Sequence, residues 1–288
     1  MENHSEKLSN QLLFFLHNFA VQFYYMQPRH QNKLQYFQEQ GFTTEKYVIP
    51  YVSEFFDLTP ELTVMEIGCA EGGNLKPFLD AGCRVIGIDI SETRIQKARE
   101  FLQDHPNFNN LTLIDKDVYL VDFSQLPPID FIFLRDTIEH ISNQLKIISF
   151  FSSILKPGGK VFMAYPPWCM PFGGHQQICQ SRFLSKLPYF HLFPKVIFRG
   201  ILKMFHESQL TIDNLLEIKE TGLPLQRLKR YFAKAGCRIE KETYYFINPN
   251  YVVKFKMKPK KLLFFSHIPY LRDFFTTAYY CVISCEKQ

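Results

Sequence analysis

An apolar run, Leu62-Thr-Val-Met-Glu-Ile67, enters Gly68-Cys-Ala-Glu-Gly72-Gly73 without a polar break and leaves it as a helix-forming stretch. Glycine lets a backbone turn sharply and approach a neighbour where a Cβ would intrude. A buried strand, a glycine turn and a helix in that order make half of a parallel β-α-β unit, and here the pattern repeats. RVIGIDI reads as a second strand, Ser91 caps a helix, and LTLID and IDFIFL read as the third and fourth strands. Residues 144–155 form a helix, and KVFMAY is a fifth strand after Lys156-Pro157-Gly158-Gly159. Each strand is almost continuously apolar, as strands covered on both faces are. The expectation is an α/β fold with a mostly parallel sheet and helices on both faces. Residues 238–246 and 277–284 then close it as an antiparallel hairpin.

Four stretches organise the chain: a helical, amphipathic N-terminal cap (1–60), the core (61–167), a Pro-, Gly- and aromatic-rich insertion (168–222), and a return to the core (223–288). With 288 residues, 46% hydrophobic and 21% charged, the chain can bury a full core, which rules out wholesale disorder. Phe occurs 30 times against a single Trp, which points to an interior or pocket lined by rings. The net charge of +5 is spread along the chain, so no nucleic-acid partner is expected. Seven cysteines lack any CxxC pair, and Cys69, Cys83 and Cys237 sit in apolar or glycine-rich segments. Reduced thiols and a cytoplasmic location follow as expectations. The most membrane-like stretch, Leu12 to Met26, is interrupted by His17, Asn18 and Gln22, and reads neither as a membrane span nor as a signal peptide.

A turn at the carboxyl end of a parallel strand is where open α/β sheets bind ligands. Gly68, Ala70 and Gly73 nearly fit a dinucleotide fingerprint, and Asp89, at the end of the second strand, can hold ribose hydroxyls. A nicotinamide dinucleotide and S-adenosylmethionine therefore compete. Glu66 before the turn and Glu71 within it repel phosphate but suit a cationic ligand. Asp117 and Val118, after the third strand, can serve an adenine. Taken alone, Gly72 and Gly73 could merely open a helix and Asp89 merely cap one; their joint order argues otherwise.

In order and spacing, VMEIGCAEGG, VIGIDIS, DKDV, IDFIFLRDTIEHI and LKPGGKVFMAYPP resemble the class I S-adenosylmethionine-dependent methyltransferases, and AGCRIEKETYYF with TTAYYCVIS echoes that family's terminal hairpin. The resemblance implies a Rossmann-like seven-stranded sheet with S-adenosylmethionine as cofactor. Glu66, Gly68, Cys69, Ala70 and Gly72 would cradle its methionine part. Asp89, with Ile90 beside it, would bind the ribose, and Asp117 and Val118 the adenine. Ala70 departs from the glycine common in the family. It also implies methyl transfer to a hydroxyl or amine of a small metabolite, sugar or lipid-linked intermediate. A binding-only relative and a nicotinamide oxidoreductase are the alternatives.

Asp136-Thr-Ile-Glu139-His140 follows the fourth strand, where the methyl group would face its acceptor. If the turn is α-helical, Asp136, Glu139 and His140 share a face. His140 can then act as a general base, or the three can hold a divalent ion completed by His175. Packing of Glu139 and His140 in the turn is the bland alternative. Gly173 and Gly174 would aim His175 inward, unless it is only solvent-exposed. Arg135 would pair with the cofactor's carboxylate or an acidic partner. The aromatic insertion, with Trp168, Tyr189, Phe190, Phe193 and Phe198, would wall the acceptor site or simply pack on the sheet. Lys254, Lys256, Lys258, Lys260 and Lys261 beside Leu262-Leu-Phe-Phe265 would touch an anionic lipid surface or acidic substrate, or be a solvated loop.

Overall fold

A computed structural model describes residues 32–286. The Leu12 to Met26 stretch and the first half of the N-terminal cap lie outside them. Helices α1 (Lys33–Thr43) and α2 (Ile49–Val52), joined by a π-helical turn at Thr44–Val48, precede strand β1 (Thr63–Ile67). Helix α3 (Lys76–Asp80), β2 (Arg84–Ile88), α4 (Glu92–Leu102), β3 (Leu111–Ile114), β4 (Ile129–Arg135), α5 (Gln144–Ile154) and β5 (Leu155–Tyr165) continue the alternation. The insertion holds α6 (Lys195–Met204) and α7 (Gln209–Thr221). Then come α8 (Leu225–Lys234), β6 (Cys237–Ile247), α9 (Tyr251–Phe255), β7 (Lys260–Lys261), α10 (Leu271–Phe275) and β8 (Ala278–Cys285).

The strands form one sheet in the order β3-β2-β1-β4-β5-β8-β6-β7. The first five run parallel, and β8 slots antiparallel between β5 and β6. This is the Rossmann-like sheet with an antiparallel close that the sequence predicts, plus a two-residue edge strand, β7, paired with β6. Because side chains alternate across a strand, one face gathers Met65, Ile67, Ile86, Ile132, Leu134, Val161 and Met163. The other gathers Val64, Val85, Phe131, Phe133 and Phe162. Both faces are covered, which is why the strands read as unbroken apolar runs. Much of the excess of phenylalanine goes into the second face, where Phe133 stacks on Phe162 and Tyr51 and Tyr280 meet Phe162 edge-on.

The insertion has a small core of its own, built on Leu184, Phe190, Phe198, Leu202, Ile212 and Leu215. Among the described residues no helix is long and apolar enough to cross a membrane. One sequence expectation is corrected: Cys237 opens β6, Cys285 ends β8, the two face each other in register, and they are joined by a disulfide. Cys69, Cys83, Cys169, Cys179 and Cys281 are free thiols. The argument for a reducing compartment, which rested on unpaired cysteines, lapses with that bridge.

Candidate active site

The glycine loop leaves β1 through two left-handed residues, Gly68 (φ 76°) and Ala70 (φ 47°). A Cβ on Gly68 would sit 2.5 Å from Thr137 Cγ2, so this glycine lets the loop close against the head of β4. Ala70 adopts the conformation that glycine takes freely, at a cost of about 1–2 kcal/mol for an L-residue. Its N–H donates to Asp89 Oδ2 (2.9 Å), a charge-assisted bond that helps hold it there. Asp89 Oδ1 accepts from Ser91 N (2.9 Å). The carboxylate thus ties the loop after β1 to the loop after β2, and Ile90 next to it is 80% exposed.

Glu66 is buried under this loop. Asn74 Nδ2 donates to its Oε1 (2.7 Å), while Oε2 has no partner. Burial pushes its carboxyl up to about 8, against the opposing effects of Asn74 and Arg135. Glu71, also buried, is paired with Lys33 of α1 at 2.7 Å. Cys69 is buried and its thiol is held in the neutral form, chiefly by desolvation. Gly72 is left-handed and packs over Ala98 and Leu102 of α4. Asp117 Oδ1 caps the 3₁₀ turn after β3 by accepting from Tyr119 N (3.0 Å), and Val118 is buried beneath it.

Arg135, offered by the sequence to the cofactor's carboxylate or an acidic partner, is hydrogen-bonded to groups of the protein itself. Its Nη1 donates to Gln40 O (3.3 Å), Thr44 Oγ1 (3.2 Å) and Asn74 Oδ1 (2.8 Å), and its Nη2 to Asn250 Oδ1. The guanidinium is a buried hub that fastens α1, the glycine loop and the segment after β6 to the head of β4.

The expectation that Asp136 shares a helical face with Glu139 and His140 is corrected. Asp136 is left-handed (φ 52°), and the helix that follows is a single 3₁₀ turn, Ile138–His140. The carboxylate is therefore swung toward Asn250 Nδ2 (3.5 Å) and Arg135 Nε (3.8 Å). Glu139 and His140 do come together with His175. One ligand-type atom from each lies within 4.8 Å of the other two, and the imidazole centroids are 5.0 Å apart. His175 reaches this position in a left-handed conformation (φ 53°). Glu139 is buried with neither carboxylate oxygen hydrogen-bonded, and desolvation, reinforced by Asp136, raises its carboxyl well above the ordinary range. His140 is shifted down by burial, with Asp136 pulling the other way.

Sequence reading missed three residues of this region. Asn74 links Glu66 to Arg135, Asn250 links Arg135 to Asp136, and Tyr36 brings a phenol from α1 into the field of Asp136, Arg135 and Glu71, raised by burial to about 12. Only Asn74, directly after the glycine pair, carried a positional signal.

A family model described as a methyltransferase domain matches residues 37–242. The chain belongs to the class I S-adenosylmethionine-dependent methyltransferases. Phosphoethanolamine N-methyltransferase 2 of Caenorhabditis elegans is 32% identical to this methyltransferase over 114 residues, 39% of this chain and 25% of the relative. Ubiquinone biosynthesis O-methyltransferase of Rhodopseudomonas palustris (strain TIE-1) is 28% identical over 103 residues, 36% of this chain and 39% of the relative. The methyltransferase thus spans well under half the length of either. The structure of the plantazolicin methyltransferase BpumL, in complex with a triazolic desmethylPZN analog and SAH, shares the fold with a TM-score of 0.53 at 12% identity, covering 98% of this chain and 99% of that one. The residues of the loop suit the family's cofactor. The unpartnered oxygen of Glu66 is open to a cationic ligand, which would favour its ionised form, and a phosphate would meet the carboxylates of Glu71 and Asp89.

Proposed function

We propose that this methyltransferase transfers a methyl group from S-adenosylmethionine to a hydroxyl or amine of a small acceptor, such as a metabolite, a sugar or a lipid-linked intermediate. His140 takes the proton that leaves the acceptor. Glu66 and the backbone at Gly68, Cys69, Ala70 and Gly72 hold the methionine part of the cofactor, Asp89 and Ile90 the ribose, and Asp117 and Val118 the adenine. The bound cofactor supplies a methyl group on a sulfonium, which is electrophilic without further activation. What is left for the chain is to bring the acceptor into line and to receive its proton. The observation that carries the reading is the convergence of Glu139, His140 and His175 at the head of β4, beside the loop that closes on Thr137. An imidazole shifted downward is neutral at pH 7 and ready to accept a proton, and the field of Asp136 favours the imidazolium that results. Relatives named for N- and for O-methylation support amine and hydroxyl acceptors equally.

His140→Ala should lower turnover by about 10²- to 10⁴-fold and leave the affinity for S-adenosylhomocysteine, read by calorimetry, unchanged. A fully active variant would overturn the assignment of the base. The unpartnered carboxylate of Glu139 favours a second reading, in which the same three side chains bind a divalent cation that acidifies the acceptor. Chelation distinguishes the two. With His140 as base, activity survives chelator. With a metal, activity is lost and returns with added Mn²⁺ or Mg²⁺, and Mn²⁺ titration of the chelated protein gives a binding isotherm that Glu139→Gln abolishes.

A further inference from the structure

Six of the seventeen large apolar side chains that stand exposed among the described residues fall within residues 263–274, including Leu263 (69% exposed), Ile268 (47%) and Tyr270 (70%). The chain just before them carries Lys254, Lys256, Lys258, Lys260 and Lys261, and between Glu242 and Asp273 there is no acidic residue at all. Lysines on an edge strand have an ordinary explanation. They deter edge-to-edge pairing of sheets, and Lys260 and Lys261 are β7, the last strand of the sheet. That explanation covers neither Lys256 and Lys258 in the approach to the strand nor the cluster of apolar side chains beyond it. Apolar tips that follow directly on a run of lysines are what an anionic bilayer surface takes up: the alkyl and aromatic groups enter the boundary of the acyl region while the ammonium groups stay among the phosphates.

We propose that residues 256–274 form a peripheral docking surface for anionic membranes. The occupant follows from charge and from exposure together. An acidic protein would complement Lys256, Lys258 and Lys261 but leave Leu263 and Ile268 without a reason to be exposed, and an uncharged apolar partner would offer no anion to those three lysines. The surface is tied to the active site by a short path. Lys256 lies six residues after Asn250, whose side chain meets both Arg135 and Asp136. On the insertion side, the Tyr189 hydroxyl donates to Phe274 O at 3.0 Å. A docked enzyme would therefore present its acceptor site close to the interface.

The test is co-flotation of the full chain with vesicles of about four parts phosphatidylcholine to one of phosphatidylserine, against phosphatidylcholine alone, at low and raised salt. Binding is expected to the mixed vesicles only, to weaken with salt, and to fall about fivefold for each of Lys258→Gln and Lys261→Gln, the fold-change that corresponds to the ~1 kcal/mol of one lysine charge. The double variant Leu263→Ser/Ile268→Ser should also lose binding. Leu120→Ser, equally exposed but following β3 at the opposite edge of the sheet, should not. Thermal melts check that the variants fold. Absence of binding to either vesicle overturns the proposal, as does binding that the Leu263→Ser/Ile268→Ser variant retains in full, since charge alone would then explain it. Vesicle binding needs no turnover, so its failure would leave the methyl-transfer reading standing.

Discussion

Fully buried in the insertion, His191 has each ring nitrogen facing a group that fixes its role. Its Nε2 lies 2.8 Å from Trp168 O, which can only accept, so Nε2 carries the hydrogen. Nδ1 is then the acceptor, and Gln176 Nε2 stands 3.4 Å away to donate to it. A second proton would set a donor against a donor in a site without water-like screening, with Lys219 nearby making matters worse. Burial accordingly pushes the imidazole down to about 4, against the pull of the Trp168 bond. The unfolded chain protonates this histidine near pH ~6.5, and the folded chain does not until about pH 4. In that window the unfolded state binds more protons, so stability is full above pH ~6.5 and declines as the pH falls toward the folded value, by a ceiling of about 3 kcal/mol. Denaturant melts of His191→Gln and the parent across that range should converge as pH drops, because the variant lacks this contribution. Parallel profiles would show that His191 is not held neutral. Nothing in the sequence marks His191: its state depends on Trp168, 23 residues away, and on Lys219, 28 residues away.

At the scale of elements, the glycine pair Gly72-Gly73 proves to be an interface between elements as well as a turn. A Cβ on Gly73 would lie 2.5 Å from Phe37 O and 2.8 Å from Gln40 Cβ, and one on Gly41 would lie 3.3 Å from Gly73 O. Helix α1 therefore rests directly on the loop, fastened by Arg135 to Gln40 O and by Thr44 to Asn74. Gly73→Ala should lift α1 from the loop at a cost of about 1–3 kcal/mol, the usual range for overpacking, with faster amide exchange across residues 33–43 and unchanged exchange in β4 and β5. Exchange in α1 equal to that of the parent would mean the helix is not seated on this glycine. What the sequence revealed and what it hid divide along the same physical line. The alternation of β1 to β5 with helices was legible because burial on both faces writes a local apolar pattern, and Glu66, Gly68 and Asp89 were legible because strand ends place them. The edge strand β7, two exposed lysines, has no such pattern. Asp136 defeated the helical spacing argument because one left-handed residue resets the direction of the chain, and Asn250 meets Arg135 only through a contact 115 residues long.

For the molecule as a whole, the sheet is a row of parallel strands completed by a long antiparallel pair, and that pair carries the cross-link. Cys237 and Cys285 close a loop with a sequence separation of 48 that contains β6, α9, β7, α10 and β8, and with them the whole docking surface. The bridge joins the ends of the two strands farthest from the active-site side, since the other end of β6 leads to Asn248 and Asn250. Its effect should therefore be on global stability and hardly on cofactor binding. Cross-linking a loop of this length removes conformational freedom from the unfolded chain worth about 2–4 kcal/mol, somewhat less than an ideal-chain figure because native strain and residual unfolded structure intervene. Cys237→Ser/Cys285→Ser, and the parent in reductant, should each lose stability in that range by denaturant titration, and reductant should have no further effect on the variant. S-adenosylhomocysteine affinity should be the same in all three. The bridge itself is checked by alkylating the denatured, unreduced protein: five cysteines should be labelled and these two protected. Labelling of all seven would show that both strand ends carry thiols, and the stability of the antiparallel close would then rest on the β6–β8 ladder and its packing alone.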